Sequence, residues 1–568
     1  MTFQDFISQG ELHYNSYQEE GVKWCTDKER NNDNEYSNIK GGIIADEMGL
    51  GKTITMLGTM YVNPLPYTLI VVPVALIEQW RKVITQYLNI EPIIYHGQNK
   101  SPLKIEESLS QNKLILITTY GVLSQRKIRK KDIKLKPRFL QHSDYLNVIL
   151  YNIKWSRIIY DEAHNTRNHC TQKFWSCNNL DGSIKWLITG TPMQNKLKDF
   201  TNLCLLLNIP KLKLKKNSNL ENIVQTYMLR RRKEDVGIHL PPVQINNTIV
   251  NWKSDVEKKL NQKFMHYQMQ RRGQHDEYDD DNDIEEHVDI DIYNNNENTD
   301  SDDELHFRLD EISNPNDCNI TFNNKSNNIF NLLENRLLGI PGSIEKMNQH
   351  YRQTNLIDDD IDKCSELLEN NLLTSMIRGR QMCIYPALIL PKLKEHVDNN
   401  NLSKGIYQLK NYTSKLDAVI EHIIDNQSNN RKIIFCNFQK EIEEVYNRLI
   451  DTNIYDKNNI ACYNGTLNLE KRRQIIENNN LKLLIIQIQT ACDGLNLQHY
   501  NEIYFISPCW NPSLEDQAIA RCHRIGQTKT TFVYKFHMAF DNIQTTNMDD
   551  YIELNQIRKR NIIQQVYH

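Results

Sequence analysis

Short apolar runs that alternate with helix-like stretches constrain the fold of this chain more than any other feature. The runs are rich in Ile, Leu and Val, which is typical of strands buried on both faces of a sheet. In residues 1–245 they are "GGIIA", "TLIVVP", "KLILITT", "SRIIYDEAH" and "KWLITGTP", and in residues 406–568 they are "RKIIFCNF", "NIACYNG", "KLLIIQIQT" and "NEIYFISP". This alternation predicts an α/β fold in which each block forms a parallel-sheet lobe, with the two lobes in tandem.

Residues 246–405 separate the two blocks and differ from them in composition. The region opens and closes with helical patterns, but its centre, residues 275–304, contains 15 Asp and Glu and no Lys or Arg. Such a segment has no apolar face to bury, so it is predicted to be a disordered acidic insert. We therefore expect a first lobe (1–245), a helical insertion with an acidic linker (246–405) and a second lobe (406–568).

The chain outside this insert is basic. The net charge is −3, and setting aside the 15 acidic residues leaves +12. A basic body favours a polyanionic partner such as nucleic acid, although an ordinary solvated surface is an equally open interpretation.

The 12 cysteines include no C-x-x-C pair, which disfavours a zinc finger or RING module. The first residues do not resemble a signal peptide, and no apolar stretch reaches the ~18 residues of a membrane span, so no membrane partner is expected.

The sequence "GLGKT" follows the first predicted strand and should begin a helix, which is the setting that a phosphate-binding loop requires. Backbone N–H groups at Gly49, Gly51 and Lys52 would hold phosphate oxygens at the start of the helix. The Lys52 side chain would reach the β- and γ-phosphates, and Thr53 would bind Mg²⁺. The strict loop pattern has Gly where this chain has Asp46, so the loop needs support from a second motif.

That support comes from "IIYDEAHN", where Asp161 and Glu162 close an apolar strand. A carboxylate at a strand end can hold Mg²⁺ through the water shell of the ion, which is the predicted role of Asp161. The next carboxylate, Glu162, can then orient the water that attacks the γ-phosphate. Alone, an Asp-Glu pair is usually a solvated turn, and its position downstream of "GKT" favours the catalytic interpretation.

These motifs and those that follow resemble the SWI/SNF-type helicase-like ATPases of helicase superfamily two. The resemblance rests on "DEMGLGKT" and "DEAH" as motifs I and II, with "LIVVPVALIEQW", "ILITTYGVL", "KWLITGTPMQN" and "YMLRRRKEDVGIHLPP" between and after them in family order. It implies two RecA-like lobes that share one ATP. "LHYNSYQEEGVKW" is similar to the adenine-reading element, which makes Gln18 the expected base contact. The acidic insert, the basic stretch "RKIRKKDIKLKPR" and the C-terminal helix lie outside the resemblance.

The resemblance also implies the ligand-binding residues. Acids at the start of the phosphate loop are normal in the family, and we expect Asp46 and Glu47 to lie aside from the phosphates and to position the lysine loop or metal-bound water. The cofactors implied are ATP and Mg²⁺, with the metal bound by Thr53 and Asp161. The nucleotide-binding residues implied are Gln18, Asp46, Glu47, Met48, Gly49, Leu50, Gly51, Lys52, Thr53, Gly494 and Gln517.

In the second block, "NPSLEDQAIARCHRIGQ" resembles motif VI. Arg521 and Arg524 are three residues apart and would share one face of a helix. An arginine that reaches a transferring phosphoryl group across a cleft accelerates the reaction by roughly 10³–10⁵. The predicted catalytic residues are therefore Lys52, Asp161, Glu162, Arg521 and Arg524. "QTACDGLNLQ" resembles motif V but departs from it at Cys492 and Asp493.

The family holds one strand of a duplex across the mouth of the cleft, mostly through phosphates. The DNA contacts implied are Thr118, Thr119, Thr490, Asn496 and Trp510. Residues 126–138 contain eight Lys or Arg and are expected to form a basic protrusion near the duplex, with a solvated loop as the alternative. Phosphate contacts carry no sequence information, so binding should be independent of sequence and sensitive to salt.

The sequence therefore predicts an ATP-dependent double-stranded DNA translocase that remodels protein–DNA complexes in chromatin, repair or transcription. It is most similar to the branch of repair translocases and transcription-termination ATPases. Expected partners are duplex DNA and, in addition, histones or RNA polymerase, and the motor is expected to be monomeric. The expected location is the nucleus, or a cytoplasmic viral factory or virion if the chain is viral. Two alternatives stay open: a helicase that separates DNA or RNA strands, and an ATP-gated scaffold that binds DNA or a polymerase without motor activity.

Overall fold

The computed structural model describes eleven stretches of the chain. They are residues 1–30, 39–126, 145–194, 196–215, 217–255, 257–262, 372–398, 404–426, 428–491, 495–539 and 547–567. The acidic insert, the basic stretch after Arg126, and Gly494 with its neighbours Cys492 and Asp493 lie outside the described residues. Within the described ranges, no helix combines the length and apolar character needed to cross a bilayer.

The first lobe is built on a parallel sheet that, among the described residues, has seven strands. Its order is β3-β4-β2-β5-β6-β1-β7, and every neighbouring pair is parallel. Because β1 lies beside β6, with Ile44 level with Ile188, the strand ends that lead into "DEMGLGKT" and "TGTPMQN" meet at one edge of the sheet. The strands are β1 (Gly41–Ile44), β2 (Tyr67–Val72), β3 (Ile93–Ile94), β4 (Leu114–Thr119), β5 (Trp155–Asp161), β6 (Gly182–Ile188) and β7 (Met228–Leu229).

Helices cover both faces of this sheet, which explains why its strands are apolar throughout. Ile43 of β1 packs into the core on one face and Ile44 into the core on the other, and both are fully buried. The helices are α1 (Phe3–Gln9), α2 (Ser16–Arg30), α3 (Lys52–Val62), α4 (Ile77–Leu88), α5 (Pro102–Ser110), α6 (Tyr120–Ser124), α7 (Val148–Asn152), α8 (Gln172–Asn178), α9 (Leu197–Leu206) and α10 (Asn217–Tyr227).

The second lobe repeats this architecture with a parallel sheet of six strands among the described residues. Its order is β10-β11-β9-β12-β13-β8. The edge strand β8 precedes the insertion and pairs with β13 from Val243 opposite Thr531 to Val250 opposite Met538, so the boundary expected at residue 245 falls within this strand. The strands are β8 (Val243–Val250), β9 (Lys432–Cys436), β10 (Ile460–Tyr463), β11 (Leu483–Gln487), β12 (Glu502–Phe505) and β13 (Thr531–Met538).

Helices also cover both faces of the second sheet, with Ile433 and Ile434 of β9 packing into opposite cores. The last helix is fastened to this lobe by a buried ion pair of 2.5 Å between Lys415 and Asp549. The sequence-based fold class, two parallel α/β lobes in tandem, is confirmed. The helices are α11 (Leu372–Ile384), α12 (Leu390–Asp398), α13 (Ser414–Asp425), α14 (Gln439–Asp451), α15 (Leu469–Glu477), α16 (Ile488–Ala491), α17 (Pro512–Cys522) and α18 (Met548–Tyr567).

Candidate active site

The phosphate loop connects β1 to α3 and depends on two glycines with positive φ. Gly49 has φ 97° and Gly51, the residue that caps α3, has φ 79°. Residues with a side chain rarely adopt this backbone conformation, and a Cβ at Gly51 would also lie 2.5 Å from Gln18 Nε2. Gly51 supplies no side chain to cap the helix, so the first N–H groups of α3 are available to an anion.

Lys52, the first residue of α3, folds back over the loop. Its Nζ donates hydrogen bonds to the backbone oxygens of Asp46, at 2.8 Å, and Glu47, at 3.5 Å. Burial lowers the pKa of Lys52, and the nearby carboxylates of Glu162, Asp46 and Asp161 oppose that shift. A Cβ added at Gly190, just beyond β6, would lie 3.4 Å from the Nζ, so the Lys52 side chain faces the loop that follows β6.

Asp46 and Glu47, the two acids of the loop, form ion pairs with basic side chains at the end of the first lobe. Asp46 is fully buried and accepts hydrogen bonds from the Arg231 backbone N, Nε and Nη2. Glu47 accepts hydrogen bonds from Lys233 through its backbone N at 2.8 Å and its Nζ at 2.7 Å. These ion pairs place both carboxylates against the segment after β7. The expected positioning of the lysine loop by Asp46 and Glu47 stays a prediction.

Asp161 ends β5 and is held by three hydrogen bonds. The Trp80 indole Nε1 donates to its Oδ2 at 2.7 Å, and the Glu162 backbone N donates to its Oδ1 at 3.0 Å. The Tyr120 hydroxyl donates to its backbone oxygen at 2.7 Å. Burial, followed by the neighbouring Glu162 charge, raises the pKa of Asp161. The sequence analysis did not identify Trp80 as a partner of Asp161.

Glu162 lies beside Asp161 in the left-handed region, with φ 49°, which is an uncommon backbone conformation for a residue with a side chain. Burial acts to raise the pKa of Glu162, but His164, Arg521 and Lys52 outweigh it and lower that pKa to about 2. His164 Nδ1 lies 3.3 Å from one carboxylate oxygen. Glu162 is therefore ionised at neutral pH and can accept a hydrogen bond from water.

The second lobe presents Arg521 and Arg524 to this site. The Arg521 guanidinium lies 3.7 Å from the Glu162 carboxylate of the first lobe. A Cβ added at Gly49 would lie 3.9 Å from the Arg524 Cβ, so Arg524 stands against the phosphate loop. Burial, together with Arg521, lowers the pKa of Arg524. The structure thus brings together predicted residues from both lobes around one cleft.

Helix α17 carries Arg521, and polar contacts hold it against the first lobe. Asn511 caps the helix by accepting a hydrogen bond from the Ser513 backbone N and donates its own Nδ2 to Gln194 of the first lobe at 3.1 Å. Gln517 Nε2 donates to the Thr191 hydroxyl of the first lobe at 3.1 Å. In this structure Gln517 joins the lobes, and its expected contact with nucleotide stays a prediction.

The other predicted nucleotide contacts lie around the loop. Gln18 is buried and its Nε2 donates to the Leu50 backbone oxygen at 3.3 Å. The Met48 side chain faces Gly190, with its Cγ 3.0 Å from where a Cβ would stand. Thr53 is partly exposed in the first turn of α3.

These residues fit a magnesium nucleotide. Gly49 and Gly51 form a cradle that a Cβ would strain, and Lys52 supplies the charge beside it. The Thr53 hydroxyl and the Asp161 carboxylate offer the oxygen ligands that Mg²⁺ prefers.

The residues expected to bind DNA differ from one another in their exposure to solvent. Thr118 is fully buried and its hydroxyl donates to the Tyr95 backbone oxygen, while Thr119 is buried and caps α6. Thr490 is 8% exposed. Asn496 is exposed, and Trp510 is partly buried against Tyr551. In this arrangement the Thr118 hydroxyl is used inside the lobe, and the Asn496 side chain is exposed; the expected DNA contacts stay a prediction.

Comparison with known proteins gives a consistent assignment for both lobes. A model of the SNF2-related domain matches residues 17–217, and a model of the helicase conserved C-terminal domain matches residues 414–526. The DNA repair protein RAD5 of Candida albicans is 26% identical, with the match covering 88% of this chain and 54% of the relative. Transcription termination factor 2 of Drosophila melanogaster is 23% identical, over 93% of this chain and 55% of the relative.

Among solved structures, the Sulfolobus solfataricus SWI2/SNF2 ATPase core in complex with dsDNA aligns over 93% of this chain and 88% of that chain, with 19% identity and a TM-score of 0.35. The chain spans about half the length of the curated relatives it matches.

Proposed function

The chain belongs to the SWI/SNF-type helicase-like ATPases, and from that premise we propose that it is an ATP-dependent translocase on double-stranded DNA. Membership of this family makes it an ATP hydrolase. The observation that carries the proposal is the 3.7 Å approach between Glu162 of the first lobe and Arg521 of the second. A site built by both lobes can link the state of the nucleotide to the distance between them.

The chemistry follows from the residues that line the cleft. The N–H groups at the start of α3 and the Lys52 ammonium bind the phosphates of ATP. Thr53 and Asp161 would hold Mg²⁺, which would supply charge that neutralises the phosphate oxygens. The ionised Glu162 orients the attacking water, because its low pKa keeps it a hydrogen-bond acceptor. Arg521 and Arg524 stabilise the charge that develops on the transferring group.

The protein moves along DNA if its two lobes bind the DNA alternately. ATP draws the arginines toward the phosphate loop, and release of the cleaved phosphate after hydrolysis removes the charge that held them there. Asn496 and Thr490 of the second lobe, with the residues around β4 of the first, supply contacts to one strand through its phosphates. Such contacts carry no base information, so the motor tracks duplex DNA irrespective of sequence and loses affinity as salt rises.

The names of the relatives support a role in DNA repair or transcription. We infer that the chain remodels protein–DNA complexes, works as a monomer in the nucleus, and meets histones or RNA polymerase on the same DNA.

ATPase activity measured side by side with no nucleic acid, duplex DNA, single-stranded DNA, RNA and nucleosomes tests the proposal. We expect duplex DNA to raise turnover severalfold or more, and displacement of a third strand from a triplex to report movement without duplex separation. Equal turnover with and without DNA would contradict a motor. Strong unwinding of a tailed duplex would favour a helicase, and normal function in cells of a Glu162→Gln variant would favour a scaffold.

A further inference from the structure

The segment that joins the two lobes, residues 230–242, is fastened to the phosphate loop. It leaves β7 in the first lobe and enters β8 in the second. The Ala45 backbone N donates to the Leu229 oxygen at 2.7 Å, and the Glu47 backbone N donates to the Arg231 oxygen at 2.9 Å. The start of this interlobe segment therefore runs alongside the phosphate loop as if the sheet continued beyond its last strand.

Arg231 makes the first attachment. Its Nε lies 3.0 Å and its Nη2 2.5 Å from the two oxygens of Asp46, which is the bidentate arrangement that fixes both direction and distance. Its Nη1 donates to the Tyr17 backbone oxygen of α2. Asp46 is fully buried, so removing either partner would leave a buried charge without its counterion.

Lys233 makes the second attachment and lies beside Gly49 of the phosphate loop. Its ammonium lies 2.7 Å from Glu47, and its side chain is 8% exposed. A Cβ added at Gly49 would lie 3.5 Å from the Lys233 Cε and 3.9 Å from the Arg524 Cβ. The interlobe segment, the phosphate loop and an arginine of the second lobe therefore converge at Gly49.

The far end of the segment contacts the arginine-bearing part of the second lobe. His523 Nε2 donates to the Pro241 backbone oxygen at 2.7 Å, and His523 stands between Arg521 and Arg524 in the sequence. The Thr531 backbone N of β13 donates to the Pro242 oxygen at 3.1 Å. One short segment thus contacts the phosphate loop at one end and, at the other, His523, the residue between the two arginines in sequence.

We propose that Arg231 and Lys233 are positioning residues that couple the phosphate loop to the second lobe. A shift of the loop on nucleotide binding is carried through Asp46 and Glu47 to the interlobe segment, and from there through Pro241 to His523. The alternative is that these ion pairs serve only to neutralise two acids. The proposal rests on the proposed function to the extent that both require the lobes to share one nucleotide.

Lys233→Met tests this because it removes the charge while keeping an unbranched side chain that is only one atom shorter. The matched control is Arg232→Met, since Arg232 is 61% exposed and pairs at 3.6 Å with Asp235 of the same segment. Three quantities are measured: affinity for a fluorescent ATP analogue, kcat and KM of the DNA-stimulated ATPase, and energy transfer between dyes on the two lobes. The dyes replace exposed Leu103 and Ile454 as unnatural amino acids, because the chain has 12 cysteines.

We expect Lys233→Met to bind the analogue within about threefold of wild type but to lose about tenfold or more in kcat, because the arginines no longer align. The change in energy transfer on adding a non-hydrolysable ATP analogue should vanish. Lys233→Arg should restore both properties, and Arg232→Met should behave as wild type. Equal losses in affinity and kcat, or an unchanged energy-transfer response, would overturn the proposal.

Glu47→Gln provides a second route if Lys233→Met lowers the melting temperature. It removes the charge of the other partner in the same ion pair. The loss of kcat in the double variant should be no larger than in either single variant. Additive losses in the double variant would overturn the coupling. The energy-transfer measurement needs no DNA, so a wild-type protein that fails to respond to DNA would remove the proposed function while this measurement still decides the coupling.

Discussion

The Glu162 carboxylate of the first lobe lies 3.7 Å from the Arg521 guanidinium of the second, and both side chains are less than a fifth exposed. Burial acts to raise the pKa of Glu162, but His164, followed by Arg521 and Lys52, lowers it, so the contact with Arg521 adds to the effect of His164 in keeping the buried carboxylate ionised. The ionisation of Glu162 in the first lobe thus depends in part on a residue of the second lobe.

Arg521→Gln should lower kcat by roughly 10³ or more while ATP binding stays within a few-fold of wild type, because the arginine acts on developing charge. Single-turnover hydrolysis and binding of a fluorescent ATP analogue measure the two effects. Arg473→Gln on α15 is the control, since Arg473 is 70% exposed and pairs with Glu477 of its own helix. Its ATPase without DNA should match wild type. Equal kcat in both variants would remove Arg521 from the catalytic set.

Trp80→Phe should weaken the site through Asp161. The change keeps an aromatic ring but deletes the indole donor that holds Asp161 Oδ2 at 2.7 Å, and a hydrogen bond to a charged group contributes about 1.5–3 kcal/mol. We expect the Mg²⁺ concentration for half-maximal activity to rise about tenfold, and the tryptophan fluorescence change on binding magnesium nucleotide to shrink.

Trp155→Phe is the matched control for Trp80→Phe. Trp155 is equally buried in the same lobe and donates its indole N–H to the Leu150 backbone oxygen at 2.9 Å. It should lose stability without a change in Mg²⁺ dependence. A rise in Mg²⁺ requirement in both variants would show that general loosening of the lobe, and not the Asp161 contact, causes the effect.

The strands that sequence analysis could predict are those with continuous apolar runs, such as β2, because burial on both faces leaves no polar position. It missed β8, "VQINNTIV", because this strand lies at the edge of the sheet and exposes most of its side chains. It also missed β13, "TFVYKFHM", in which apolar and polar residues alternate. The two-residue strand β7 is too short to leave a pattern.

The site shows a similar division. Lys52, Asp161 and Glu162 follow from local patterns, because a loop, a strand end and their residue types carry the chemistry. The contact between Trp80 and Asp161 joins residues 81 positions apart, and that between Lys233 and Glu47 joins residues 186 apart, so no local pattern reveals either. Such partners become visible only when the sheet order brings their elements together.

Lys185→Met should stabilise the first lobe at neutral pH. Lys185 is 4% exposed, and its Nζ donates to the Leu206 backbone oxygen and the Asn208 side chain, both neutral. Burial lowers the pKa of Lys185 to about 8 from 10.5, which corresponds to about 3 kcal/mol against the charged form. The folded pKa lies below the unfolded one, so the cost is fully present below pH 8 and fades as pH rises toward 10.5.

The melting temperature should therefore be higher for Lys185→Met than for wild type at pH 7, and the difference should shrink by pH 10. Lys432→Met in the second lobe is the contrast, because Lys432 is equally buried but lies 3.3 Å from Glu502. Its removal leaves a buried carboxylate and should lower the melting temperature. A loss of stability in Lys185→Met at pH 7 would show that its two hydrogen bonds outweigh the cost of burying its charge.

Gln517→Ala and Gln18→Ala should separate two roles that their residue type does not distinguish. Gln517 donates to Thr191 across the cleft, whereas Gln18 lies against the phosphate loop through its bond to the Leu50 oxygen. We expect Gln517→Ala to keep ATP affinity within about twofold and to lose severalfold in DNA-stimulated kcat, because one hydrogen bond between the lobes contributes about 1 kcal/mol. Gln18→Ala should instead weaken ATP binding and reduce the preference for ATP over GTP. Titration with fluorescent ATP and GTP analogues measures the affinities, and DNA-stimulated turnover measures kcat. A loss of ATP affinity in Gln517→Ala would show that Gln517 contacts the nucleotide.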